Sequence, residues 1–96
     1  MLTDEQKEVC QQAVQVFGRR RQVLKVVEEL RELATELEAA AHGLGTTLER
    51  IVDERADVEI MLYQLDTLIL PGMASQVPFR IPAKIEKLKG YMEVGR

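Results

Sequence analysis

Two long helix-forming stretches joined by a very short turn leave this chain few ways to fold. Residues Arg19 to Ala41 carry apolar side chains at Val23, Val26, Val27, Leu30, Leu33, Ala34 and Leu37. That spacing follows one helical face. After Gly43-Leu44-Gly45, a second stretch to about Leu70 repeats the pattern at Leu48, Ile51, Val52, Val58, Met61, Leu62, Leu65, Leu68 and Ile69. Helices of this length across so short a turn must run antiparallel, as an αα-hairpin. Upstream, Thr3 with Gln6 forms a helix-start signal and Gly18 a stop, predicting a first helix from Asp4 to Phe17. Thr46-x-x-Glu49 reads as the capping box of the third helix. Pro71, Gly72 and Pro78 mark residues 71–81 as a loop, and Pro82 suits the start of a fourth helix to about Met92. No strand-like alternation occurs, so the fold class is all-α: a four-helix bundle built on the long hairpin.

Within this pattern two acidic tetrads stand out, Glu29-Leu30-Arg31-Glu32 and Glu54-Arg55-Ala56-Asp57. An i, i+3 pair projects from one side of a helix, one turn apart. Glu29 and Glu32 lie about 12 residues before the turn, and Glu54 and Asp57 about 10 after it, so at 1.5 Å rise per residue they come level across the hairpin. Glu54 falls inside the apolar stripe between Ile51 and Val58, Asp57 at its edge, and Glu29 borders the stripe of its own helix. A carboxylate in an apolar stripe has to be paired, protonated or metal-bound. Two charges about 6 Å apart repel by roughly 3 kcal/mol at an effective dielectric near 20. A hard divalent cation, Mg²⁺ foremost and Mn²⁺ as an alternative, would relieve that repulsion, and bound Mg²⁺ commonly accompanies phosphate chemistry. Pairing with Lys or Arg is the structural alternative. Glu28, Glu38 and Asp53 read as solvated charges.

The remaining numbers narrow the classes. Ninety-six residues suit one domain, and a single cysteine, Cys10, excludes an intrachain disulfide framework and fits a reducing compartment. Cys10 reads as a half-buried helix residue. The net charge of −3 argues against a nucleic-acid binder. No apolar run reaches a membrane span, and the acidic start lacks a secretory apolar core, so a cytoplasmic location without membrane contact is expected. The single His42, at a helix end beside Gly43, suits a cationic cap. Apolar residues cover more than one side of the third helix near its C-terminus, which calls for a homodimer or homotetramer.

At these residues the chain resembles the MazG-like all-α nucleoside triphosphate pyrophosphohydrolases. That superfamily carries Glu-Glu-x-x-Glu-Leu on one helix and Glu-x-x-Asp-Val on the next. Here the two motifs stand as Glu28-Glu29-Leu30-Arg31-Glu32-Leu33 and Glu54-Arg55-Ala56-Asp57-Val58. Phe17-Gly18, Gln22, the run Ala56 to Leu62 and the closing Lys84-Ile85-Glu86-Lys87-Leu88 add to the likeness, which covers about residues 13–92. Arg55 departs from the pattern, since many members have an acidic or small residue there.

The resemblance implies Mg²⁺-dependent hydrolysis of a nucleoside or deoxynucleoside triphosphate between the α and β phosphates, releasing the monophosphate and pyrophosphate. It further implies that Glu29, Glu32, Glu54 and Asp57 are the metal ligands. A carboxylate left free of metal would accept the proton of the attacking water, Glu32 being one candidate. Lys84 and Lys87, one turn apart on the last helix, are candidate phosphate contacts, as is Arg19 in the run Arg19-Arg20-Arg21 at a helix N-terminus. Gln22 is a candidate for a base edge. Phosphoribosyl-ATP pyrophosphohydrolase, with the same fold and tetrads, ranks second; the dimeric dUTPases and dCTPases of the superfamily come third. A non-catalytic helical interaction protein is the alternative from another class.

Overall fold

A computed structural model describes residues 1–95, and it is all-helical. α1 spans Asp4–Phe17, α2 Arg19–Ala41, α3 Leu48–Tyr63 and α4 Gly72–Glu93; a π-helical segment, Gln64–Ile69, continues α3. The capping box is in place at α1, where the Gln6 amide N–H donates to the Thr3 hydroxyl and the Thr3 N–H to the Gln6 side chain. Gly18 alone separates α1 from α2, at φ +86, a conformation that strains any side-chain-bearing residue. It takes both roles at once: its N–H closes α1 on the Val14 carbonyl, and its carbonyl accepts the Gln22 N–H that opens α2.

The α2–α3 hairpin is antiparallel as expected, but its turn is capped one residue later. Thr47, not Thr46, is the N-cap, its hydroxyl accepting the Arg50 N–H. The Thr46 hydroxyl donates instead to the Glu36 carboxylate, which also pairs with Arg50 at 3.5 Å. A tertiary partner on α2 has won over the local box, since Glu36 is within reach only once the hairpin closes.

The core is thin. Its buried apolar residues are Cys10 of α1, Val26 of α2, Val58 and Met61 of α3, and Ile69. Cys10 is therefore fully rather than half buried, at 3% exposure. Met61→Ala should cost about 2–3 kcal/mol, because so small a core cannot close over the void; chemical denaturation would measure it.

Beyond Leu70 the structure corrects the sequence reading. Residues 72–81 are helix rather than loop, and both Pro78 and Pro82 lie inside α4. Proline disrupts a helix by removing an N–H and crowding the carbonyl four residues back. Those carbonyls belong to Ala74 and Pro78, on residues that are exposed, where water can take the vacated bond. No residue of α4 is buried, and its principal packing partner is the π segment. The helix therefore runs alongside one end of the hairpin instead of covering its face. No described helix is long and apolar enough to cross a membrane.

Candidate metal centre

α2 and α3 bring the two acidic tetrads to one place. A carboxylate oxygen from each of Glu29, Glu32, Glu54 and Asp57 can be chosen so that all lie within 4.8 Å of one another. Glu29 is buried at 6% exposure, Glu54 is half-buried, and Glu32 and Asp57 open to solvent. The cluster thus has a dry floor and a wet rim. Register explains it: Glu29 follows Val26 by three residues and Glu54 precedes Val58 by four, so each shares the inward face of a buried valine.

Hydrogen bonding leaves this floor incomplete. Glu29 Oε2 and Glu54 Oε2 are buried without a hydrogen-bond partner. Glu29 Oε1 pairs with Lys25 Nζ at 3.2 Å, and Lys25 reaches Glu28 at 3.4 Å. One exposed lysine thus partly offsets four carboxylates. Arg55 turns to Glu59 at 2.9 Å and does not neutralise the cluster.

Burial, with the charges of Glu32 and Asp57, pushes the Glu29 carboxyl above the ordinary glutamate value, against the opposing pull of Lys25. A carboxyl whose pKa is higher folded than unfolded favours folding while protonated, and that contribution is lost as pH rises through the raised value. The metal-free protein should therefore gain thermal stability on acidification from neutral toward the carboxylate range, until its other carboxylates protonate. A melting series across pH, with and without Mg²⁺, checks this. With Mg²⁺ the gain should vanish.

Oxygen-only donors, close spacing and two orphaned buried oxygens fit a hard divalent cation, which prefers carboxylate oxygens and carries the charge the site lacks.

The other sequence candidates separate. Gln22 is buried at 6% exposure and lines a cleft of about 540 Å³ with Phe17, Arg21, Leu24, Lys25 and Met61, next to the cluster. Arg19 is exposed at the first position of α2, and it is Arg21, over the Phe17 ring at 5.3 Å, that reaches this cleft. Lys84 and Lys87 are not brought to the carboxylates within one chain. Lys84 lines a separate cleft with Ile69, Met73, Val77 and Arg80, while Lys87 lies over the Tyr91 ring at 5.7 Å. Two residues not singled out from sequence join the site. Lys25 was visible as an i, i+4 partner of Glu29; Gln64 carried no local signal. No protein-family model, curated protein or solved structure matches the chain.

Proposed function

We propose that this chain is a divalent-metal-dependent nucleoside triphosphate pyrophosphohydrolase, cleaving between the α and β phosphates to give the monophosphate and pyrophosphate. The observation that carries the reading is the convergence of Glu29, Glu32, Glu54 and Asp57 with two buried carboxylate oxygens left unpartnered. These four residues would hold Mg²⁺, with Mn²⁺ as the alternative. When bound, such an ion neutralises charge on the phosphate chain and lowers the pKa of a water.

The chain's own groups supply the rest. Glu29 and Glu54, on the dry floor, anchor the site. Glu32 and Asp57, on the wet rim, face entering solvent, and a rim carboxylate left free of metal, Glu32 being one candidate, would take the proton of the attacking water. That water's oxygen bonds to the attacked phosphorus, the bond from that phosphorus to the α–β bridging oxygen breaks, and the other product leaves with the bridging oxygen and its electron pair. Lys25, which lines the adjacent cleft and reaches Glu29, is the cationic contact for the phosphates.

Self-association belongs to the same reading. α4 leaves Val77, Ile81, Ile85, Leu88 and Met92 exposed by 46–63% along one stripe. Its charges, Arg80, Lys84, Lys87 and Lys89 against Glu86 and Glu93, leave it at +2, whereas α3, with five acids and two arginines, stands at −3. A second copy, whose hairpin is acidic where α4 is basic, meets both requirements. A homodimer or homotetramer would also offer Lys84 and Lys87 a route to the carboxylates of a neighbouring subunit.

The test is pyrophosphate release from a panel of ribo- and deoxynucleoside triphosphates with Mg²⁺, with phosphoribosyl-ATP included to separate the related reaction. Stoichiometric monophosphate and pyrophosphate from a triphosphate are expected. Absence of release from every member would end the enzymatic reading.

A further inference from the structure

A second buried polar element lies two helical turns from the carboxylates. Gln22 and Gln64 are 6% and 3% exposed, and Gln22 Nε2 donates to Gln64 Oε1 at 2.6 Å. Packing alone does not call for it, since two apolar side chains would fill the space without desolvating amides.

Its register ties it to the site. Gln22 precedes Glu29 by seven residues on α2, and Gln64 follows Asp57 by seven on the opposite helix. Seven residues return to the same face about 10 Å along the axis. Because the helices are antiparallel, both displacements point the same way. The amide pair therefore forms a layer parallel to the carboxylate layer, with Val26 and Met61 between. The separation is comparable with the reach from a nucleoside's 5′-phosphate to the edge of its base. Gln64 is also the first residue of the π segment, a distortion that recurs at functional sites.

A cleft opens beside the amide layer. Gln22 opens onto it beside Phe17, Arg21, Leu24, Lys25 and Met61, with Glu28 also in its lining, and Lys25 reaches from it toward the carboxylates. Its volume of about 540 Å³ is in the range of small-ligand sites, roughly 300–1,000 Å³.

From this geometry we infer that the glutamine pair reads the nucleobase of the substrate, a deepening that rests on the function proposed above. Gln22 is the contact and Gln64 the positioning residue. Gln64 takes one N–H of the Gln22 amide and so fixes which way that amide faces. The Gln22 carbonyl and its second N–H are then left for an adjacent donor and acceptor on a base edge, the bidentate pattern by which glutamine recognises bases. Phe17 and Met61 supply apolar lining for the ring. Lys25 lines the phosphate side, while Arg21, over the Phe17 ring, lies at the base end.

The experiment measures kcat and KM for the four common bases, with Mg²⁺, in the unaltered chain and in Gln22→Met, Gln64→Met and Gln64→Glu. Gln22→Met should lower kcat/KM for the preferred base by about tenfold or more and compress the ratio between best and worst. Gln64→Met should do the same mainly through KM. Gln64→Glu keeps an acceptor for Gln22 and should retain the preference, which a merely space-filling role would not require. Thermal stabilisation by Mg²⁺ should be unchanged in all three. If the Met variants fail to fold, nucleotides methylated on the donor or acceptor of the base edge make the test on the unaltered chain. Equal turnover of methylated and plain nucleotides would overturn the inference. So would Met variants that fold and keep their base preference, or an unaltered chain active on all bases alike; in those cases the hydrolase reading stands. Inactivity of the unaltered chain on every nucleotide removes both.

Discussion

Replacing Glu54 with glutamine is expected to abolish pyrophosphate release while leaving the helical circular dichroism spectrum unchanged. Glutamine keeps the size and one oxygen of the side chain but removes the charge that would hold a divalent cation. Metal-assisted stabilisation of phosphoryl transfer is worth several kcal/mol. At about 1.4 kcal/mol per tenfold, the loss should be on the order of 100-fold or more. Glu29→Gln should show the same loss with an opposite effect on metal-free stability. Glu29 lies on the dry floor with an unpartnered oxygen and two acidic neighbours, so removing its charge relieves repulsion. Lys25 loses a partner, but an exposed lysine contributes little to such a pair. The metal-free Glu29→Gln protein should thus melt higher than the unaltered chain, and Mg²⁺ should no longer raise its melting temperature. Unchanged activity in either variant would remove the ligand assignment.

Charging the α4 stripe is the second change with a large expected effect. Ile85→Glu combined with Leu88→Glu places two carboxylates in the exposed apolar line that runs from Val77 to Met92. A fully buried side chain of this kind stabilises an interface by about 1.5–3 kcal/mol. A charge buried there without a partner costs several kcal/mol more. In a symmetric assembly every change counts twice. If the proposed assembly forms, its dissociation constant should therefore rise by at least about 1,000-fold, and sedimentation should show the double variant as a monomer and the unaltered chain as a dimer or tetramer. The melting temperature of the unaltered chain should also rise with concentration, as it does when association and folding are linked. A monomeric unaltered chain at high concentration would overturn the assembly. Because α4 contributes no buried residue to its own chain, the double variant should keep its helical content.

Much of the fold was legible in the order of residues. The ends of α1 and the start of α2 follow from Thr3, Gln6 and Gly18, because capping and positive φ are local properties of a few residues. The convergence of the tetrads was likewise readable. A hairpin with a short turn has one register, and i, i+3 spacing has one face, so four carboxylates had to arrive level. The misreadings are equally physical. Pro78 and Pro82 read as loop and helix start because proline is costly where a helix must satisfy all its own bonds; α4 is exposed, so water relieves that cost. Thr46 read as a cap because its box was intact, yet Glu36, ten residues earlier, offered a stronger acceptor once the turn had closed.

Local chemistry and periodicity, carried by the residue order alone, were enough for the all-helical class, the antiparallel hairpin and the meeting of Glu29, Glu32, Glu54 and Asp57. Tertiary structure decided which of those carboxylates is dry, since burial depends on neighbours brought from both helices. It alone joined Gln22 to Gln64 across 42 residues and placed them two turns from the acids. It also kept Lys84 and Lys87 away from the carboxylates of their own chain, because α4 packs against the π segment rather than over the hairpin. Contacts between distant residues are settled by packing, and no short motif encodes them.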